Sequence, residues 1–314
     1  MFHHFHSEGL GHPRGQGSLS AGELADLIDY VGRERILPPD EFLRRSRAGR
    51  LRPGDLCLTF DDNLRCQFDV AYPVLWELGL TAFWFVYSSV LDGTAERIEL
   101  YRLFRTTHFE SIEEFYARFF YSLGEGGEGY EVEHALEGFD PGRYLCGFPF
   151  YTDADRRFRF VRDEVLGPER YYRAMDALMS AVGADVAAMA ANLWMGPDCL
   201  RRLRDGGHII GLHSHTHPTR LERLPAAEQR EEYATNHAIL SGLLGEGPVA
   251  MSHPCNSYNA QTLEILEDLG IRVGFRANMA ELSPGRVGPL ELPREDHANI
   301  LARMHRRHMQ QAAA

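Results

Sequence analysis

Short apolar runs alternate with longer amphipathic stretches at both ends of this chain. Residues 56–60 form an apolar run that ends in two carboxylates, and residues 81–87 form another. Residues 208–212, 249–252 and 271–275 predict three more buried strands. Strands that alternate with helices indicate a parallel sheet, either open or closed into a barrel.

The helical segments carry recognisable ends. Ser20 and Glu23 form an S-x-x-E capping box, which predicts a helix over residues 19–31. Ser111 and Glu114 repeat the pattern inside a mostly helical stretch at about residues 92–197. We therefore predict one domain over residues 1–314, with this stretch as an insertion.

Several bulky or charged side chains are predicted to have structural roles rather than to contact substrate. Trp76 and Trp84 are expected in the core rather than as sugar platforms. Aromatic residues at helical spacing in the insertion favour a core or a subunit interface, and so suggest a homodimer: Phe115, Tyr116, Phe119 and Phe120. A basic run favours a solvated face over a site for an anionic substrate: Arg156, Arg157, Arg159 and Arg162.

Charge and composition exclude several classes of protein. The 314 residues carry a net charge of −12, so nucleic acid is not an expected partner. The longest apolar run, residues 80–91, is shorter than the ~20 residues of a membrane span. The N-terminus resembles no secretory signal, and five cysteines without a CxxC pair suit a reducing compartment. We expect a cytoplasmic protein.

Polar groups that follow the strands carry the candidate chemistry. His213 and His217 have the i, i+4 spacing that lets two imidazoles converge on a metal, although a solvated loop has the same composition. Asp61 and Asp62 point to opposite sides of a strand, and the alternative for this pair is a helix N-cap. Two histidines and one aspartate form a set that leaves positions open for water and substrate.

These residues match a known family. Thr59-Phe60-Asp61-Asp62 resembles the TFDD motif of the polysaccharide deacetylases, which are carbohydrate esterase family four, the NodB homology domain. The segment from His213 to Pro218 resembles the same family's H-[ST]-x-x-H-P motif. The resemblance covers residues 55–91 and 198–300. It implies a distorted (β/α) TIM-like barrel and metal-dependent removal of acyl groups from sugars.

The resemblance also implies roles for individual residues. Asp61 corresponds to the general base, and Asp62, His213 and His217 correspond to the metal ligands. One divalent ion is implied; Zn²⁺ is the default, and Co²⁺, Ni²⁺, Fe²⁺ or Mn²⁺ suit the same ligands.

The third family motif is altered. It is usually R-x-P-[YF]-G, and here residues 252–256 read Ser-His-Pro-Cys-Asn. The N–H of Cys255 is the implied oxyanion donor, and its thiol is expected to be small and buried rather than nucleophilic. Arg294, with Arg276 second, is the candidate that replaces the missing arginine and orients Asp61. His253 and Asn256 are candidate substrate contacts.

The general acid has two candidates. The common family order implies His297, whereas the biofilm poly-N-acetylglucosamine deacetylases have a permuted order that implies His3, which we favour. His4 is a further candidate substrate contact, with His6, His12 and His215, although each also suits a polar loop.

The predicted function is a metal-dependent hydrolase that removes an N-acetyl or N-formyl group from a sugar or sugar conjugate in glycan or secondary-metabolite biosynthesis. The alternatives are an O-acetyl esterase, a hydrolase of non-sugar amides, or a catalytically silent carbohydrate-binding protein. A cytoplasmic location favours a free, nucleotide-linked or lipid-linked small sugar over an exported polymer.

Overall fold

A parallel five-stranded sheet forms the centre of the fold. The computed structural model describes residues 1–280 and 288–312, so residues 281–287, inside the segment of family resemblance, lie outside the described part. The strands stand in sequential order: β1 (Thr59–Phe60), β2 (Phe83–Val86), β3 (Ile209–Leu212), β4 (Ala250–Ser252) and β5 (Val273–Phe275). Sequential parallel strands with intervening helices form the wall of a (β/α) barrel, so the predicted fold class is confirmed.

Single backbone pairings continue the sheet beyond both edge strands. Phe2 pairs with Phe60 of β1, and Leu292 pairs with Phe275 of β5. Between them, the amide of His297 donates to the carbonyl of Met1, and the Met1 amine donates to the carbonyl of Glu295. These contacts bring residues 292–297 beside residues 1–2 and close the gap between β5 and β1.

The chain divides into two compact units, Met1–Glu96 with Asn192–Ala314, and Arg97–Ala191. The first unit holds the sheet and seven α-helices of the described chain: α1 (Ala21–Val31), α2 (Pro39–Arg47), α3 (Tyr72–Leu78), α10 (Pro197–Asp205), α11 (Ala226–Leu244), α12 (Ala260–Asp268) and α13 (His297–Ala312). The second is helical where described: α4 (Arg97–Thr107), α5 (Ile112–Glu125), α6 (Gly129–Glu137), α7 (Asp153–Phe160), α8 (Gly167–Val182) and α9 (Val186–Ala190). The single-domain organisation stays a prediction.

Each unit has its own apolar core. In the first, the rings of Phe60 and Trp84 stack at 4.2 Å between their centroids, and both side chains are fully buried. In the second, Phe119 and Phe158 pack against the buried Tyr171, and Phe115 packs against both phenylalanines. The insertion aromatics expected at a core or an interface therefore lie largely in this second core.

Several expectations about local structure were wrong. Trp76 is 69% exposed because α3 buries Tyr72 and Leu75 and turns Trp76 outward. Arg156 is buried, since its guanidinium donates to backbone carbonyls of the loop before α7. Cys255 is exposed, not buried, because it lies on the short turn Pro254–Asn256 that leaves β4.

The first predicted strand is also shorter than expected. Only Thr59–Phe60 is a strand, because Leu56 pairs with Ile36 instead of with β2. The capping box at Ser20 and Glu23 is present. In the second pattern the Glu114 amide donates to Ser111, but the Glu114 carboxylate accepts from the amide of Glu110 rather than from that of Ser111.

Candidate active site

Three side chains from two strand ends converge on one point. Asp62 follows β1, and His213 and His217 lie in the loop after β3. The Nε2 atoms of His213 and His217 are 3.3 Å and 3.4 Å from Asp62 Oδ1. One ligand atom from each residue lies within 4.8 Å of the others, a spacing that suits three ligands of one cation.

The surroundings of His213 prepare its ring for a metal. Its Nδ1 donates to the carbonyl of Ser252, 2.8 Å away, which leaves the lone pair of Nε2 on the side of Asp62. Burial acts to lower the pKa of His213, but the carboxylates of Asp61 and Asp62 outweigh it and raise that pKa. The donor set therefore fits a divalent cation, whose positive charge would take the place of the proton.

Backbone geometry separates the two aspartates. Asp62 has φ 79° and Asn63 has φ 55°, so the chain turns sharply in the left-handed region directly after β1. Asp61, still in the line of the strand, points to a different set of partners. The two carboxylates therefore have different surroundings, as their adjacent positions predict.

Arg294 holds the carboxylate of Asp61 in a two-pronged ion pair. Its Nη1 and Nη2 lie 2.7 Å from Oδ1 and Oδ2, and both residues are buried. Nη2 also donates to Ser252 Oγ, which in turn donates to Asp61 Oδ2 at 3.1 Å. Arg276, the second candidate, donates instead to the carbonyl of Glu291.

Both carboxyl groups are held ionised. Burial acts to raise the pKa of Asp61, but the charge of Arg294, then that of His213, lowers it to about 2. Burial also acts to raise the pKa of Asp62, and the hydrogen bond and charges of the nearby histidines bring it well below its ordinary value. The ionised, buried Asp62 thus makes the site attractive to a cation, while the charge of Asp61 is paired with Arg294.

The two candidate general acids occupy different surroundings. His3 Nε2 lies 3.9 Å from Asp61 Oδ2 and 4.0 Å from Asp62 Oδ2, and its side chain is 27% exposed. His297 instead stacks on Phe2 and donates from Nε2 to the carbonyl of Gly17. Its Nδ1 is 3.4 Å from Asp296 Oδ1, so both ring nitrogens face groups other than Asp61 and Asp62.

The altered third motif keeps a sharply bent backbone. Cys255 and Asn256 have φ values of 50° and 58°, so two residues in succession adopt the left-handed region. Asn256 Oδ1 accepts from the amide of Ala277, while His253 is buried, stacks on Tyr258 and donates from Nε2 to a carbonyl. Because the His253 ring is already stacked and hydrogen-bonded within the protein, a packing role is favoured over the predicted substrate contact.

The remaining histidines are dispersed around the first unit. His6 contacts Ser18, and His12 lies 2.9 Å from Asp69 Oδ2. His215 contacts Ser88, and the ring of His4 stacks beside that of His3 with 6.1 Å between centroids. Of this group, His4 is thus the one that adjoins a residue next to the two aspartates.

Sequence reasoning did not single out two partners of these residues. Ser252 contacts both Asp61 and Arg294, and the buried Asn236 accepts from the amide of His213. Ser252 could have been flagged because it stands where the family motif has its arginine. Asn236 gives no comparable signal, since one asparagine in a helix is ordinary.

Comparisons with known proteins agree with this geometry. Residues 167–274 match the family model of polysaccharide deacetylase, so the predicted resemblance is confirmed over that segment. No curated protein matches the chain. In the helices of residues 1–280 and 288–312, no segment has the length and apolar character that a membrane crossing requires.

Solved structures share the fold at low sequence identity. The deacetylase PplD of Streptococcus pyogenes, in complex with acetate, is 16% identical with a TM-score of 0.54, over 93% of this chain and 88% of its own. IcaB from Ammonifex degensii is 16% identical with a TM-score of 0.53, over 96% and 93%. A de-N-acetylase from Aggregatibacter actinomycetemcomitans is 12% identical with a TM-score of 0.51, over 93% and 91%. The chain thus has the fold of these proteins.

Proposed function

We propose that this protein is a metal-dependent hydrolase that removes an N-acyl group, acetyl or formyl, from a sugar or sugar conjugate. The observation that carries the proposal is that two adjacent carboxylates have different partners. Asp62 faces His213 and His217, while both oxygens of Asp61 accept from Arg294. A site that only binds sugar has no need for a separately oriented base beside a ligand set. The polysaccharide deacetylase match supports the same reaction.

Asp62, His213 and His217 would hold the cation. Two imidazole nitrogens and one carboxylate oxygen suit Zn²⁺, which we propose, and also suit Co²⁺, Ni²⁺, Fe²⁺ or Mn²⁺. When bound, a divalent ion supplies Lewis-acid chemistry, which polarises an acyl carbonyl and acidifies water.

The other residues handle protons and charge. Asp61, ionised and fixed in orientation by Arg294, accepts the proton of the attacking water. His3, beside both aspartates and partly exposed, donates a proton to the leaving amine. The backbone N–H of Cys255 is the proposed donor to the oxyanion.

The position of Arg294 counts against the one argument for a silent binding protein. That argument rested on Ser252 in place of the motif arginine. Arg294 occupies the corresponding role from a different segment, because it reaches both oxygens of Asp61 and also contacts Ser252. An O-acetyl esterase would use the same residues, so paired amide and ester substrates separate the two reactions.

The proposals for the substrate and the location rest on the sequence. We propose a cytoplasmic enzyme that acts on a free, nucleotide-linked or lipid-linked small sugar, because five cysteines without a CxxC pair suit a reducing compartment. His4 and Asn256 remain proposed substrate contacts.

Metal content and product release test the proposal together. Purified protein loaded with Zn²⁺ is incubated with cell metabolites, and mass spectrometry follows the loss of acetyl or formyl groups. Asp61→Asn should keep its metal and lose turnover, whereas Asp62→Ala should lose both. Asp29→Asn, at an exposed position on α1, is the matched control and should behave as wild type. Near-normal turnover by Asp61→Asn would refute the base, and absence of bound metal in the wild type would refute the metal site.

A further inference from the structure

The loop that carries both histidine ligands has a backbone that needs outside support. Ser214 has φ 63° and His217 has φ 58°, and neither is glycine. Side chains with a Cβ rarely adopt this left-handed region, and they persist there where the surroundings impose it. Inside the loop, the amide of His217 donates to Ser214 Oγ at 3.1 Å. Contacts from outside the loop supply the rest of its support.

Helix α11 supplies the strongest of these contacts. Glu232 Oε2 accepts from the amides of His215 and Thr216, at 2.9 Å and 2.8 Å. Its Oε1 accepts from the hydroxyl of Thr216 at 2.5 Å. One carboxylate thus receives three donors from two successive loop residues between the histidine ligands.

A second side chain of α11 holds the start of the same loop. Asn236, one helical turn after Glu232, accepts from the amide of His213 at 3.0 Å through Oδ1. Its Nδ2 donates to the carbonyl of Val86 at the end of β2, also at 3.0 Å. Residues four apart lie on the same helix face, so one face of α11 binds the backbone at both ends of the segment from His213 to Thr216.

The end of β2 holds the loop from another direction. The amide of Ser89 donates to the carbonyl of His215 at 2.9 Å, and Ser88 Oγ lies 3.0 Å from His215 Nδ1. His215, which the sequence suggested as a substrate contact, is therefore part of the support of the loop. The support fixes the residues between the two ligands without touching a ligand nitrogen.

We propose that Glu232 is a positioning residue that sets the geometry of the metal site through the loop backbone. It rests on the proposed function, because it takes Asp62, His213 and His217 as ligands. Partners that orient metal ligands from outside typically change metal affinity or activity by about 10–100-fold when they are removed. Glu232 would act one step further out, on the backbone between the ligands.

Metal affinity is the first measurement. Wild type, Glu232→Ala, Glu232→Gln and Glu231→Ala are titrated with Zn²⁺ in competition with a chelator. Glu232→Ala should bind about 10–100-fold more weakly. Glu232→Gln keeps an acceptor oxygen at the same reach and should recover most of the affinity. Glu231→Ala removes the same charge from an exposed neighbouring position and should match wild type.

Two readouts separate positioning from simple loss of folding. In the metal-free protein, hydrogen exchange at the amides of His215 and Thr216 should be slow in wild type and fast in Glu232→Ala, while the β3 amides stay protected. In Co²⁺-loaded protein, the visible absorption bands report ligand geometry and should differ between Glu232→Ala and Glu231→Ala. Equal affinity and equal spectra in those two variants would overturn the proposal.

The outcomes also distinguish this proposal from the proposed function. If wild type binds neither Zn²⁺ nor Co²⁺, the metal site itself is refuted and Glu232 has no metal to position. If Glu232→Ala does not fold, Glu232→Asp decides, because it keeps the charge and loses one methylene of reach toward the loop. Wild-type affinity in Glu232→Asp would then overturn the positioning role.

Discussion

Removal of Arg294 should destabilise the protein far more than removal of an arginine from an exposed pair. Arg294 is 5% exposed and Asp61 is 2% exposed, and two 2.7 Å contacts join them. Arg294→Met leaves the Asp61 charge buried without its guanidinium. Breaking a buried ion pair in this way typically costs about 3–5 kcal/mol, since the remaining charge is uncompensated. We expect a loss of that size in the free energy of unfolding.

The chain offers a control with the same contact distance. Arg230 lies 2.7 Å from Asp268, but their side chains are 50% and 62% exposed. Exposed pairs typically contribute about 0–1 kcal/mol, so Arg230→Met should change stability little. The two variants therefore compare a buried pair that makes two contacts with an exposed pair of the same closest distance.

Urea denaturation of metal-free protein at pH 7 measures both losses, and a double variant tests the cause. Asp61→Asn removes the orphaned charge, so Arg294→Met with Asp61→Asn should be more stable than Arg294→Met alone. Coupling between contacting residues is about 0.5–3 kcal/mol, and the recovery should lie in that range. A loss in Arg294→Met no larger than in Arg230→Met, or no recovery in the double variant, would refute this account of the pair.

Three further predictions concern stability. Burial lowers the pKa of His208 to about 4, so the folded protein binds a proton there less readily than the unfolded chain does. Above pH ~6.5 this costs no stability, but about 3 kcal/mol of unfolding free energy is lost as the pH falls to ~4. The unfolding free energy of His208→Asn should therefore depend less on pH than that of wild type, and an equal dependence would contradict this. A Cβ on Gly274 would lie 2.6 Å from the carbonyl oxygen of Leu290, so Gly274→Ala should destabilise the protein by about 1–3 kcal/mol. Gly242 lies on an open helix surface, so Gly242→Ala should stabilise it by up to about 1 kcal/mol. Equal melting temperatures of the two variants would count against the close approach at Gly274. Trp76 is exposed, so Trp76→Ser should change the free energy of unfolding by less than about 0.5 kcal/mol. Trp84 is fully buried, so Trp84→Ser should cost roughly 3–5 kcal/mol. Similar losses in the two variants would mean that Trp76 is not at the surface.

The sequence predicted the five strands and singled out the three residues that converge after them, because both depend on local pattern. Each strand is a short apolar run, and Asp62, His213 and His217 follow directly after strands whose carboxyl ends meet. The exposure of Trp76 was open to the same reasoning, since Tyr72 and Leu75 already define the buried face of α3. Assigning bulky aromatics to the core by size alone produced the error.

Local sequence pattern could not predict the residues that support the site from distant positions in the chain. Glu232 and Asn236 are 15 or more residues from the loop that they hold, on a helix whose spacing of polar residues is ordinary. Ser252 was visible only as a departure from a family motif. Such contacts are fixed by how helices pack on the sheet, which short-range spacing does not encode.

The closure of the barrel explains why Arg294 and His3, which both lie near Asp61, come from opposite ends of the chain. Phe2 pairs with β1 and Leu292 pairs with β5, and backbone bonds join Met1 to residues 295 and 297. His3 and Arg294 follow these pairings by one and two residues, so the segments that close the sheet also deliver the proposed acid and the partner of the proposed base. Neither segment forms a strand of its own, which is why hydrophobic periodicity gave no sign of them. A change that breaks these backbone contacts should therefore disturb Asp61 from both sides, which would couple closure of the sheet to the proposed proton transfer.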